Sequence, residues 1–371
     1  MRFLLVSTDY SGFLDWLYSQ HPGLAQESYE TQTRVRADSL FGLADFYSSN
    51  LRKLGHEAWD VDANNEFKQK AWAREHGLHI SETGRWKFRL RRGFVPWIFH
   101  DKDAWVYDVL AAQIKYYKPD VLLNHAIHLN GEFFREMKPL VRLIVGSHAS
   151  PLQSDPDLSM YDLMLSVVDN FVDYFRRRGL RSERLRFGFE PALLSQFSRV
   201  DRSVPVSFVG NLFSSHADRI RLLEHLCGRI PVQVWSPYTK ALSETSPVAS
   251  CLRGPAWGAD MLNILFQSRI TLNSHIDVAE SYAGNLRLFE GTGSGALLVT
   301  DWKKNLHEMF EPGKEVVAYR TPEECLEMVQ YYLEHDDERE AIAQAGQSRT
   351  LSDHTYYDRM KNLVSIVEQC L

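Results

Sequence analysis

Apolar residues recur along this chain in short runs separated by amphipathic stretches, the alternation that marks an α/β protein. The run Phe3-Leu4-Leu5-Val6 contains no polar residue and ends in Ser7-Thr8, as a strand buried on both faces of a parallel sheet does. Between Ser39 and Leu54 the positions Leu40, Leu43, Ala44, Tyr47 and Leu51 share one face of a predicted helix, which Gly55 closes. His56 to Val61 predicts a second strand and completes a βαβ unit. Further strands are expected at 121–124, 143–145 and 163–166.

After Gly179 the cycle begins again. Arg186 to Pro191 reads as the exit from a first half, and Val206 to Asn211 as the first strand of a second. Helix (217–227), strand (232–235), helix (259–267), strand (270–272), helix (286–291) and strand (296–299) follow, then helices over 323–333, 337–348 and 356–370. The expected architecture is two Rossmann-like α/β/α domains facing across a cleft. Residues 1–185 form the first domain, residues 186–350 the second, and 351–371 a helix returning to the first.

The 371 residues are 44% hydrophobic, enough to bury two cores. A net charge of -6 lacks the basic excess of a general nucleic-acid binder. The four cysteines form no Cys-x-x-Cys pair. The opening apolar run is shorter than a signal-peptide core and no apolar stretch reaches membrane-spanning length, so a cytoplasmic protein is expected.

The chemistry concentrates in two places. Residues 282 to 301 read as a helix begun at Ala-Gly-Asn that presents Arg287 and Glu290, then a small-residue turn, then a buried strand. A helix start binds phosphate, and a glutamate one turn further in holds sugar hydroxyls, which suits a nucleotide-sugar. The plainer reading is an amphipathic helix carrying a surface ion pair. Small side chains ahead of that helix suggest that something approaches the backbone there. The glycines 291, 293 and 295 follow a helix and open a strand, the reverse of a dinucleotide fingerprint, so they read as a tight connection. The second place is the strand end Val209-Gly210-Asn211, where Asn211, Ser214 and Arg219 are candidate donors to a diphosphate, or else a plain strand-to-helix turn.

In order, Val-Ser-Phe-Val-Gly-Asn (206–211), Leu-Arg-Gly-Pro-Ala-Trp (252–257), Ile-Thr-Leu-Asn-Ser-His (270–275) and Asn-Leu-Arg-Leu-Phe-Glu-Gly-Thr-Gly-Ser-Gly (285–295) resemble the carboxyl half of group 1 glycosyltransferases, most closely the spore-maturation-type branch. The resemblance covers residues 160–365 well and the first half in outline. It implies a GT-B fold, a nucleoside diphosphate sugar donor, and neither an essential metal nor a cofactor. By resemblance Glu290 is the second glutamate of the family's Glu-x7-Glu signature, which binds ribose. Gly284, Asn285 and Leu286 face the diphosphate, and Leu252, Arg253, Gly254 and Pro255 border the nucleobase. The first glutamate of the signature falls at Tyr282, a departure that leaves the sugar contact open, and nearby Glu280 is no assumed substitute.

His148, in Val-Gly-Ser-His-Ala-Ser-Pro, and Asp9, after the first strand, are the candidate general bases; His275 is a candidate contact to sugar or phosphate. His125 and His128, three apart on a predicted strand, face opposite sides and make a poor metal pair. Asp155-Pro156-Asp157 has the letters of a metal-diphosphate motif but reads as a rigid turn. Residues Arg85, Lys87, Arg89, Arg91 and Arg92 interleave with Trp86, Phe88 and Leu90, and Phe94 and Trp97 follow. Such a segment can rest on anionic lipid and so admit a lipid-linked acceptor, or be an extended segment with one solvated face. The expected activity is hexosyl transfer to a glycan or lipid-linked acceptor in cell-surface polysaccharide synthesis. A nucleotide-sugar epimerase of the same fold, or a non-catalytic nucleotide or partner binder, is the alternative.

Overall fold

The computed structural model describes residues 1–80, 85–91, 95–150, 152, 156–197, 201–214 and 216–371, with backbone alone for 85–91, 95–101 and Val278. Two parallel sheets dominate. The first is ordered β2-β1-β5-β6-β7-β8, from β1 (Arg2–Ser7), β2 (Glu57–Asp62), β5 (Val121–Asn124), β6 (Leu143–Ser147), β7 (Leu163–Ser166) and β8 (Ser182–Arg184). The second is β10-β9-β11-β12-β13, from β9 (Val204–Val209), β10 (Val232–Trp235), β11 (Ser268–Asn273), β12 (Leu297–Asp301) and β13 (Val317–Tyr319). Between β2 and β5 the chain makes an antiparallel pair, β3 (Arg85–Arg91) and β4 (Val95–Asp101).

The lack of polar residues in β1 has a direct cause. Phe3 and Leu5 point into one apolar cluster and Leu4 and Val6 into another, so both faces of the strand are covered. β12 behaves alike, with Leu298 on one side and Leu297 and Val299 on the other. The cluster that holds Phe3 and Leu5 also holds Leu262 and Leu288 from helices of the second lobe and Leu298 of its sheet, so one core runs through both lobes.

The lobes are tied at two chain crossings. Phe189 donates its N–H to the His354 carbonyl at 2.8 Å, and Tyr356 donates back to the Phe189 carbonyl at 3.0 Å. A Cβ at Gly188 would lie 2.9 Å from the Thr355 backbone, so no larger residue fits the crossing. The helix Tyr356–Glu368 then packs on the helix Phe46–Lys53 of the first lobe, where Tyr356 stacks on Phe46 with ring centroids 5.1 Å apart. The glycines of the 291–295 turn are needed for packing: a Cβ on Gly293 would enter the Phe189 ring, and one on Gly291 would meet Leu298 and Thr271.

One predicted element differs. The helix expected from Ser39 begins only at Phe46, and Leu40 and Ala44 have φ of 57° and 45°, which a helix forbids. The reason is tertiary. The Ser39 carbonyl accepts the Ala259 N–H at 2.8 Å, and a Cβ on Gly258, itself at φ 50°, would stand 1.9 Å from that oxygen. The segment is thus a strap laid across the second lobe. Gly284 plays the same part elsewhere, since a Cβ there would lie 2.6 Å from the Val167 carbonyl of the first lobe.

Two glycines of one lobe therefore seat two carbonyls of the other. Gly258→Ala should hold the lobes apart: small-angle scattering should show a larger radius of gyration than wild type, with unchanged far-ultraviolet circular dichroism.

Candidate functional site

In each sheet the strand order reverses beside its first strand, between β1 and β5 and between β9 and β11. Ligands of open α/β sheets bind at the carboxyl ends of strands at such points. Here the two reversals face one another, and the cleft between them encloses ≈ 630 Å³, with Ser7, Asp9, His148, Gly210, Asn273 and Glu290 among its walls.

On the second-lobe side the helix Leu286–Gly293 starts at the cleft without a side-chain cap. The Asn285 amide is engaged elsewhere: it donates to Asn273 Oδ1 at 2.7 Å and accepts from Asn273 Nδ2 at 3.3 Å. The first N–H groups of the helix are left for another acceptor, and the helix dipole adds partial positive charge there. Arg287 Nη1 lies 2.8 Å from Glu290 Oε2, with both side chains nearly buried in the cleft wall. The pair is therefore not the exposed one that sequence spacing also allows. Burial raises the Glu290 carboxyl above its ordinary value, and Arg287 only partly offsets this.

Arg219 is buried and ties two strand ends together, donating to the Asn211 carbonyl at 2.8 Å and the Ser274 carbonyl at 2.7 Å. Burial pushes its guanidinium down to about 10. His275, at the end of β11, is held by Asp301 Oδ1, 2.6 Å from its Nδ1. Against the burial that pushes it up, His275 and Lys303 hold the Asp301 carboxyl down at about 2. Among the described residues, Arg219 Nε, Arg287 Nε and His275 Nε2 are buried with no hydrogen-bond partner. Buried polar atoms of this kind ordinarily have one, and the two arginine nitrogens among them are donors.

On the first-lobe side, His148 follows β6 at the cleft, with its Nε2 3.4 Å from Ser150 Oγ and its ring edge-on to Phe171. Burial lowers its pKa, so the imidazole is neutral at pH 7. Asp9 also lines the cleft, but its carboxylate is gripped by Arg36 at 2.6 and 3.3 Å. Burial and neighbouring Asp62 raise its pKa against that arginine. A carboxylate so held has little freedom to collect a proton, which leaves His148 as the freer base.

Several expected site positions lie elsewhere. Ser214 is exposed and outside the cleft lining. Leu252 to Pro255 extend the β10 edge, with Arg253 N–H on the Val234 carbonyl and the Gly254 carbonyl taking Ser236 N–H; the cleft is lined instead by the following Ala256 and Trp257, with Pro237. Gly284 borders the cleft, but the backbone approach that demands a glycine is that of Val167. Tyr282 turns away, its ring under Lys304 Nζ at 3.8 Å and packed on the first lobe's core. His125 and His128 lie in the loop after β5, not on the strand; burial against Tyr47 takes His125 down to about 4. Among the described residues no group of three His, Cys, Asp or Glu side chains is placed to hold a metal. Asp155, Arg92 and Phe94 lie outside the described residues, and Asp157 pairs with Arg135 at 2.5 Å. Asp301, Trp257 and Arg36 were missed in sequence, although Asp301 ends a strand and that position is itself a signal.

Residues 219–365 match the model of the glycosyl transferase-like family. No curated protein matches the chain. Among solved structures it is similar to HepE of Anabaena in complex with UDP and glucose, with TM-score 0.59, 10% identity and 100% of both chains covered. It is also similar to a glycosyltransferase from Rickettsia africae, with TM-score 0.58, 11% identity, and 100% of this chain and 98% of that one covered. Sucrose-phosphate synthase from Thermosynechococcus elongatus gives TM-score 0.56, 10% identity and the same coverages of 100% and 98%.

A test of the site's electrostatics follows from Asp301. Its folded-state carboxyl is depressed from 3.8 to about 2, so its stabilisation is full above 3.8 and fades as pH falls through 2. Asp301→Asn should cost about 2 kcal/mol at pH 7 in urea unfolding, a difference that shrinks between pH 4 and pH 2. The fold is GT-B, and the lobe that carries Arg219, His275 and Glu290 matches the glycosyl transferase-like sequence pattern over residues 219–365.

Proposed function

We propose that this protein transfers a hexosyl group from a nucleoside diphosphate sugar, held by the second lobe, to an acceptor hydroxyl held by the first. The observation that carries the reading is the pair of unpartnered buried Nε–H groups of Arg219 and Arg287 in the wall of the cleft on which an uncapped helix start opens. Together they describe a place for a diphosphate whose charge needs no bound cation. The complexes with UDP and glucose in HepE, and with UDP and GlcNAc in the pneumococcal O-GlcNAc transferase GtfA, support a donor of this class.

In the reaction the bond from the sugar's anomeric carbon to the phosphate oxygen breaks, and its electron pair leaves on the diphosphate. Arg219, Arg287 and the helix N–H groups stabilise that charge. The acceptor oxygen forms the new bond to the anomeric carbon and gives its proton to neutral His148. Glu290 exchanges part of its hold on Arg287 for the ribose hydroxyls and sets the donor's register. The seats at Gly258 and Gly284 keep the lobes together and water out.

The wider reading places the protein in the spore-maturation-type branch, in the cytoplasm, acting in cell-surface glycan synthesis. No helix among the described residues is long and apolar enough to cross a membrane. Contact with a lipid-linked acceptor would come through the hairpin β3–β4. Its register pairs the Trp86, Phe88 and Leu90 positions with His100, Ile98 and Pro96, leaving the basic positions Arg85, Lys87, Arg89 and Arg91 on the other face. The placement of Tyr282 outside the cleft favours, as a second reading, a non-catalytic nucleotide or partner binder of the same fold, and a nucleotide-sugar epimerase is the rival that shares the fold.

A thermal-shift panel of UDP, GDP, dTDP and ADP should show one nucleotide stabilising the protein, by about 2.7 kcal/mol at a hundred times its dissociation constant. Glu290→Ala should abolish that shift; an unchanged shift removes the ribose assignment. Sugar appearing on an acceptor separates transfer from both second readings. Co-sedimentation with phosphatidylserine vesicles should fall as salt rises, and its absence at low salt removes the lipid contact.

A further inference from the structure

A second cavity of ≈ 670 Å³ lies beside the donor cleft at the carboxyl ends of β11, β12 and β13. Ser274 and His275 border both spaces, so only the loop that follows β11 separates them. Its volume is that of a small-ligand site, and its position is the edge where α/β sheets bind ligands.

Three features define what it would hold. Trp302 stands at its wall with 44% of its surface exposed, and Arg320 covers one ring face at 4.4 Å. A large exposed aromatic ring, stiffened on one side and open on the other, is a platform for a flat apolar face. Asp277 and Glu280 supply the second feature: both are exposed in the lining, and neither carboxylate makes a hydrogen bond or ion pair among the described residues. Glu280 is held in this place at φ 50° and ψ -116°, with its carbonyl taking Lys303 Nζ at 2.6 Å. Such backbone strain persists only where the surroundings enforce it.

Charge balance is the third feature. Asp218 is paired with Arg221, and Asp301 with Lys303 at 3.3 Å and with His275, which leaves Asp277 and Glu280 with Arg320 as the remaining charges of the lining, Asp277 also acting on Arg219 behind it. The cavity therefore carries a small negative excess, which disfavours phosphate and nucleotide. Acceptor-only carboxylates beside an open indole match a ligand with many hydroxyl donors and C–H faces.

We propose that this cavity is a separate binding site for a neutral saccharide, with Trp302 stacking on a sugar ring and Asp277 and Glu280 accepting from its hydroxyls. On the transfer reading above, it retains a glycan one loop away from the reacting centre.

The test is saturation-transfer NMR on the full chain with glucose, galactose, N-acetylglucosamine, maltose and cellobiose at millimolar concentration, with and without UDP. Saccharide signals should appear, persist when UDP is added, fall about tenfold in Trp302→Ala, and recover in Trp302→Phe. Asp277→Asn with Glu280→Gln should weaken them too, while leaving any UDP thermal shift unchanged. Because Trp302, Asp277 and Glu280 are exposed, these variants should fold as wild type does, checked by circular dichroism. The proposal is overturned if none of the saccharides gives a signal, if Trp302→Ala leaves the signals intact, or if inorganic phosphate displaces them. Failure of UDP to bind would count against the donor reading alone.

Discussion

The cleft exists because the chain crosses between its lobes at one tight place. Phe189 donates its N–H to the His354 carbonyl and accepts the Tyr356 N–H, and Gly188 and Gly293 are small enough to let the backbone of the returning segment and the Phe189 ring pass. From that crossing the last helix returns to the first lobe and stacks Tyr356 on Phe46. Truncating a buried ring of this size costs about 3–5 kcal/mol, so this contact holds the returning helix on the first lobe. The crossing fixes the hinge edge of the cleft. The Ser39 and Val167 carbonyls, seated on Gly258 and Gly284, fix its closure.

Given that frame, the electrostatics of the two walls differ in kind. The first lobe pairs its buried charges among themselves: Arg36 sits between Asp9 and Asp62, and Lys68 is buried on Asp62. Breaking such a group would strand a charge in low dielectric, so these residues behave as framework. The second lobe leaves the charged groups Arg219 and Arg287 each with an unpartnered Nε at the cleft, where the first lobe leaves only the ring nitrogen of His125 so among the described residues. Unmet arginine donors cost free energy in the unliganded protein, and those that face the cleft are open to an anion there. This asymmetry agrees with a donor bound by the second lobe and an acceptor bound by the first.

Legibility in the sequence followed the range of the interaction. Strands such as β1 and β12 were readable because a strand covered on both faces must be apolar at every position, as Phe3 to Val6 and Leu297 to Val299 are, whereas the short β8 and β13 and the charged hairpin β3–β4 carry no such run and were not expected as strands. The helix start at Asn285 was readable from local backbone rules. The strap from Ser39 to Ala44 was not: its leucines and alanine keep helical spacing, and the force that unwinds them is a contact with Gly258, more than two hundred residues away. At Gly284 the sequence reports that something comes close to the backbone without saying what, and the structure supplies the Val167 carbonyl. Leu252 to Pro255 missed the cleft by a short loop, because Trp257 rather than its neighbours turns inward.

The sequence alone thus determined the alternation of strands and helices, the division into two α/β halves, and a helix that starts after small residues with a glutamate one turn inside it. These depend on periodicity and on chemistry between near neighbours. Only the tertiary structure decided that Asp9 is spent on Arg36, that Arg287 and Glu290 form a buried pair, that His275 rests on Asp301, and that Tyr282 faces away. Each of those outcomes turns on which distant groups share a low-dielectric space and on the direction a side chain takes when the lobes meet, and neither is written in local spacing.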